Sequence, residues 1–202
     1  SEGLYEASVL IETNAEPTVT LPVSLTVDAN ANQVTITVQN AEGWNMVGLP
    51  VTVENADWGS VFPEAISGTL YGFDGSYSNE TDLILGNGYW LRFEGDGSSD
   101  ITGIPIGGLS ISLLEGWNMI TGISSSVNIT NIIDPEGIIV SNTFYSFNNG
   151  YINASTLEPG QGYWANLSAA GTLDLSGLGG AKSVAGLPKE EMSGHVLLWA
   201  EA

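Results

Sequence analysis

Apolar and polar residues alternate along most of this chain with a period of two, the signature of half-buried β-strands. The clearest run is Val19 to Val27: Val19, Leu21, Val23, Leu25 and Val27 fall on one face, and Thr20, Pro22, Ser24 and Thr26 on the other. Pro22 cannot donate to a ladder, which assigns this strand to a sheet edge. A preceding run, Leu4 to Ile11, alternates less cleanly, and Asn14-Ala15-Glu16-Pro17 between the two supplies turn chemistry, so residues 1–28 read as a hairpin. Val34 to Val38 and Leu109 to Leu113 alternate in the same way. Asp74-Gly75 and Asn148-Asn149-Gly150 lie between aromatic runs and predict two further hairpins. Only two stretches have helical character, residues 55–62 and 128–134. Each opens on Asn, a good N-cap, and is stopped by Pro63 or Pro135 after one or two turns.

The pattern is duplicated. Glu42-Gly43-Trp44-Asn45-Met46 recurs as Glu115-Gly116-Trp117-Asn118-Met119, 73 residues later, and Gly88-Tyr89-Trp90 recurs as Gly162-Tyr163-Trp164, 74 residues later. Tyr71, Phe73 and Tyr77 match Tyr145, Phe147 and Tyr151 at the same offset. Repetition this regular marks architecture before chemistry. The expected fold is all-β: tandem antiparallel sandwiches or small barrels with at most one short helix each. The expected organisation is a hairpin over 1–28, a first module over 29–107, a second over 108–178, and a Gly-rich linker with a terminal strand over 179–202.

The duplicated units resemble the Gly-Trp-Asn…Gly-Tyr-Trp repeat modules of secreted and surface proteins of bacteria and archaea. The N-terminal stretch YEASVLIETNAEPTVTLPVSLTV resembles the last two strands of bacterial immunoglobulin-like domains. These resemblances imply an extracellular or cell-surface, non-catalytic module embedded in a larger protein or assembly. They assign no ligand and no catalytic residue.

Charge narrows the partners. Asp and Glu number 23 against three Lys and Arg, Arg92, Lys182 and Lys189, for a formal charge of -20. Such a surface repels phosphate backbones, which excludes nucleic acid as a partner, and it disfavours anionic membranes. No stretch approaches the roughly 18 apolar residues of a membrane-spanning helix, so membrane insertion is not expected. Few Lys and Arg also leave few sites for a trypsin-like protease, which suits an extracellular setting. There is no cysteine, hence no disulfide framework and no thiolate site.

Candidate chemistry is sparse. His195 is the only histidine, and no nucleophile elbow, P-loop or dinucleotide fingerprint occurs, so no enzyme activity and no cofactor are expected. Asp74, Glu80 and Asp82 make one loop rich in oxygen donors and are the calcium candidates. The EF-hand pattern fails there, with Asn79 at the sixth position and Leu85 at the twelfth, and a solvated loop is the expectation. Asn79, Asn128, Asn153 and Asn166 head Asn-x-Ser/Thr sequons and are the glycosylation candidates.

The motif tryptophans Trp44, Trp90, Trp117 and Trp164 are expected as buried core anchors, since a recurring aromatic fills a recurring packing slot. A sugar platform, if present, would use Trp58, Tyr77 and Tyr151, which stand outside the repeated core pattern or just past a turn. Two functions follow. The first is a structural building block of a surface assembly or filament, self-associating or docking to neighbouring domains by strand addition through its unaccompanied terminal strands. The alternative is a carbohydrate-binding or adhesion module. Exposure of the aromatic rings separates the two: buried motif tryptophans favour structure, and an exposed, coplanar row favours sugar.

Overall fold

The computed structural model describes residues 32–176 in full, and the backbone of two strands before them. The linker and terminal strand expected over 179–202, with His195 and the two lysines, lie outside the described residues. The fold is all-β, as the alternation predicts.

The first two strands, β1 (Gly3–Ile11) and β2 (Val19–Val27), pair antiparallel from Gly3↔Val27 to Ile11↔Val19 as a sheet of their own. In a two-stranded sheet both strands are edges, so Pro22, opposite Ser8, sits where a missing N–H is tolerated.

The first module contains β3 (Val34–Asn40), β4 (Gly43–Val47), β5 (Val51–Thr52), helix α1 (Trp58–Val61), β6 (Tyr71–Phe73), β7 (Tyr77–Asn79), β8 (Tyr89–Phe93) and β9 (Gly97–Pro105). They form a sheet ordered β3-β9-β5 and a sheet ordered β4-β8-β6-β7. The second module repeats the plan with β10 (Gly108–Leu113), β11 (Gly116–Thr121), β12 (Val127–Asn128), β13 (Tyr145–Phe147), β14 (Tyr151–Asn153), β15 (Thr156–Leu157), β16 (Gly162–Leu167) and β17 (Gly171–Ser176). Its four-stranded sheet, β11-β16-β13-β14, matches β4-β8-β6-β7 strand for strand. Each module has its own aliphatic core. Val38, Val51, Leu70, Leu91, Phe93 and Ile101 are at the centre of the first, and Ile111, Ile120, Ile123, Leu157, Leu167 and Leu173 at the centre of the second.

The helical stretches are as short as their prolines require. One is α1; the other is a single 3-10 turn, Ile129–Asn131. Asn128 caps the latter as expected, accepting from the Thr130 N–H at 2.9 Å. In the first module the cap is Asp57 rather than Asn55. Asp57 Oδ2 accepts from the Ser60 N–H, and Asn55 instead accepts from the Asp57 N–H one step upstream.

The Gly-Trp-Asn motif is a turn device. Gly43 and Gly116 hold φ of +89° and +90°, a left-handed conformation that L side chains avoid. Two residues on, Asn118 Oδ1 accepts from the Leu114 N–H, while its Nδ2 donates to the carbonyls of Leu114 and Gly116. Asn45 repeats all three bonds with Ala41 and Gly43. One amide thus satisfies the backbone groups that the turn between β3 and β4, or β10 and β11, leaves open. The expected cost of Asn118→Ala is about 1–3 kcal/mol, because three backbone groups of the turn lose the buried amide that bonds them; chemical denaturation measures it, and an unchanged midpoint would contradict the assignment.

Candidate functional site

A strand that is apolar on one side needs only one cover. These four-stranded sheets are apolar on both. In β8, Tyr89, Leu91 and Phe93 enter the aliphatic core, so period two sends Trp90 and Arg92 to the opposite face. In β16, Tyr163, Ala165 and Leu167 are buried in the core, and Trp164 and Asn166 face the other way. Trp44 and Met46 of β4, and Trp117 and Met119 of β11, join those second faces.

The second faces meet. Met46, Met119 and Trp164 form a third buried cluster, with Phe73, Trp90, Tyr145 and Phe147 packed around it. The contacts are reciprocal between modules. Phe73 lies 4.9 Å from Trp164 at 81°, and its counterpart Phe147 lies 4.8 Å from Trp90 at 82°. Backbone bonds are reciprocal too: the Gly48 N–H donates to the Gly160 carbonyl at 3.0 Å, and the Thr121 N–H to the Gly86 carbonyl at 3.1 Å. Gly88 of the Gly-Tyr-Trp motif permits this approach. A Cβ there would come within 2.5 Å of the Ile120 carbonyl oxygen in the other module. The two modules are therefore related by a pseudo-twofold axis and share an interface.

Flanking the interface are two clefts lined by aromatic rings. One, of about 520 Å³, is lined by Phe73, Trp117, Tyr145, Tyr151 and Trp164. The other, of about 480 Å³, is lined by Trp44, Tyr71, Tyr77, Trp90, Phe147 and Tyr151. Each mixes rings of both modules. Their volumes fall in the range of small-ligand sites.

The ring planes cross steeply. Trp117 meets Trp164 at 84° and 6.1 Å, and Tyr145 at 46° and 6.0 Å. Trp44 meets Trp90 at 87° and 6.4 Å, and Tyr71 at 55° and 5.9 Å. Two of these are edge-to-face corners and two are tilted pairs, which make a concave wall and not the coplanar row of a flat sugar platform.

The expected burial of all four motif tryptophans holds for Trp164, 8% exposed, and in part for Trp90. It fails for Trp44 and Trp117, which are 42% and 44% exposed. Their strands lie at one edge of each four-stranded sheet, so the facing module covers Met46 and Met119 but stops short of the tryptophan two residues earlier. Recurrence therefore marked a repeated surface slot as well as a repeated core slot. The strand alternation carried the missing signal, since Arg92 and Asn166, two residues past Trp90 and Trp164, show that this face is not all core.

The platform candidates divide. Tyr77 and Tyr151 are 55% and 58% exposed and line the clefts, Tyr151 both of them. Trp58 does not belong with them: it opens α1 and packs, half-buried, on the first module's aliphatic core. The partner tyrosines of the Gly-Tyr-Trp motifs are struts. Tyr89 Oη accepts from the Ile84 N–H at 2.9 Å, and Tyr163 Oη from the Glu158 N–H at 2.7 Å, fixing the loop before each closing strand. Burial raises both phenols above their ordinary pKa of 10.0, against the lowering effect of those backbone bonds.

The calcium candidates do not converge. Asp74 sits at the β6–β7 hairpin, Glu80 Oε1 accepts from the Ser78 hydroxyl, and Asp82 Oδ2 from the Thr81 hydroxyl. Among the described residues no group of three or more His, Cys, Asp or Glu is placed to share a metal ion. Of the sequon residues, Asn79 donates its amide to the carbonyls of Gly68 and Leu70, and Asn153 to that of Asn142. Asn128 serves as a cap, and Asn166 stands half-buried directly opposite Trp117. No helix among the described residues is long and apolar enough to cross a membrane.

Compared with known proteins, the chain matches no family model, no curated protein and no solved structure.

The two kinds of motif tryptophan should separate in stability. Trp164→Ala empties a buried aromatic site and is expected to cost about 3–5 kcal/mol. Trp117→Ala removes a half-exposed ring and is expected to cost about 1 kcal/mol. Equal losses in urea unfolding would refute the division.

Proposed function

We propose that this chain is a non-catalytic extracellular binding module that grips its ligand between aromatic ring faces in two pseudo-equivalent clefts. The observation that carries this reading is the exposure of Trp44 and Trp117, 42% and 44%, each lining an aromatic cleft. A core anchor has no reason to leave that much ring surface in water. An adhesion role follows from the pair of clefts, because two sites on one rigid body raise avidity for a repetitive ligand without new contacts. Carbohydrate remains a ligand class for these rings. Their crossed planes suit a compact group inserted into a corner more than a flat chain laid along a row. Tryptophan fluorescence tests the reading with a panel of soluble oligosaccharides and small organic cations. Saturable quenching by at least one class is expected, and it is expected to weaken when the exposed ring of the occupied cleft is removed, by Trp117→Ala or by Trp44→Ala. A flat response across the panel sinks it.

A second reading, a building block that assembles by strand addition, is supported by the β1–β2 hairpin. Its two strands pair with each other, and no other strand among the described residues pairs with them. A two-stranded sheet is marginal in water, and among the described residues no third strand adds to either of its edges. Removing residues 1–27 is expected to abolish self-association in analytical ultracentrifugation while leaving ligand binding intact. Unchanged assembly would exclude this route.

A further inference from the structure

The clefts differ in one respect that the pseudo-symmetry hides, and it bears on ligand class. The lining of the Trp117 cleft is aromatic throughout: Phe73, Trp117, Tyr145, Tyr151 and Trp164. Apart from two tyrosine hydroxyls and the Trp indole N–H groups, these side chains offer nothing to hydrogen-bond, so a sugar inserted among them would leave most of its hydroxyls unmatched. What aromatic rings present instead is the negative quadrupole of their faces, and Trp is the strongest of the three ring types for this. Trp117 and Trp164 meet at 84°, with Tyr145 at 46° to Trp117. Walls at such angles surround a compact group on several sides at once.

The surrounding field has the matching sign. Residues 32–176 contain 15 Asp and Glu and a single basic residue, Arg92. A negative potential of this kind concentrates cations at a low-dielectric cleft and repels anions. Arg92 is not among the residues that line the Trp117 cleft. It lies directly opposite Trp44 in the β4–β8 pair, and directly opposite residues share a face. At the matching position of the β11–β16 pair, opposite Trp117, stands the neutral Asn166.

We infer that the Trp117 cleft is a site for an organic cation, a quaternary ammonium group held by cation–π contacts, and that Arg92 disables the Trp44 cleft for the same ligand. This rests on the reading of the clefts as binding sites, and names what one of them takes. A quaternary ammonium has no N–H to satisfy, so a wall poor in hydrogen-bond acceptors costs it nothing. The methyl groups bury apolar area, while the charge faces the rings. A free inorganic cation lacks the apolar shell and is not retained.

The test uses the full chain, titrated with choline chloride and with 3,3-dimethylbutan-1-ol, its neutral isostere, and followed by tryptophan fluorescence and by broadening of the ligand methyl resonance. One site is expected, binding choline at least about tenfold more tightly than the isostere. Affinity should weaken as NaCl is raised, because salt screens the protein's field. Asn166→Lys, which adds a positive charge beside the cleft, is expected to weaken choline and leave the isostere unchanged. Arg92→Asn is expected to add a second choline step. Trp117→Ala should remove the first, with retained near-ultraviolet circular dichroism showing that the fold survives, and Trp117→Phe should keep part of it. Equal affinity for choline and isostere, or preference for an oligosaccharide, overturns the cation assignment and leaves the clefts as binding sites. Choline binding that Trp117→Ala does not alter overturns the location. No response to any of these ligands overturns both the assignment and the binding reading beneath it.

Discussion

The reciprocal join between the two modules is the contact on which the rest of the structure depends. Each four-stranded sheet is apolar on both faces, and one face is covered only because the other module supplies Phe73 against Trp164 and Phe147 against Trp90. The backbones lock the same contact, through Gly48 to Gly160 and Thr121 to Gly86. A lone module would expose a face of Met and aromatic rings, an apolar patch that soluble monomers rarely tolerate. The duplication is therefore a structural requirement and not simply a doubling of length. Equivalent residues meeting across a pseudo-twofold axis is the geometry of an isologous dimer carried out within one chain.

From that join follows the division of labour inside each motif. Glycine at positive φ and asparagine bonding back across the turn set the direction of the strand that follows. Tyrosine of Gly-Tyr-Trp enters the aliphatic core and pins a loop by accepting a backbone N–H. The tryptophan beside it goes to the interface, while the tryptophan of Gly-Trp-Asn, at the sheet edge, reaches past it into solvent. The clefts arise where coverage ends. Because rings of both modules line each cleft, a site of this kind does not exist in either module alone.

Symmetry places the rings, and single substitutions break it. The pair Arg92 and Asn166 sits at equivalent register positions opposite Trp44 and Trp117. A positive charge opposite Trp44 and none opposite Trp117, in a chain otherwise dominated by carboxylates, makes the surroundings of the two exposed tryptophans electrostatically different. Divergence between repeats at such a position leaves the fold undisturbed, since both side chains lie outside the aliphatic cores.

Alternation with period two, the Asp-Gly and Asn-Asn-Gly turns, and the prolines after short Asn-led stretches were enough to name the class, the hairpins and the brevity of the helices. These are local properties, decided by backbone sterics and by which face of a strand is apolar. The offset of 73–74 residues likewise announced two copies of one unit. The chain pattern could not say what covers a strand that is apolar on both sides, because a second sheet, a helix or a partner would satisfy it equally. Only the tertiary arrangement decided that the other copy does so, and how far its coverage reaches. That extent is why Trp164 is core while Trp117, from the same duplication and of the same residue type, is surface. It is also why Trp58, which looked free of the repeat, is held against the core by the helix it opens, whereas Tyr77 and Tyr151, just past their turns, stay exposed. Burial depends on what lies opposite a side chain in space, and a linear pattern records only its neighbours along the chain.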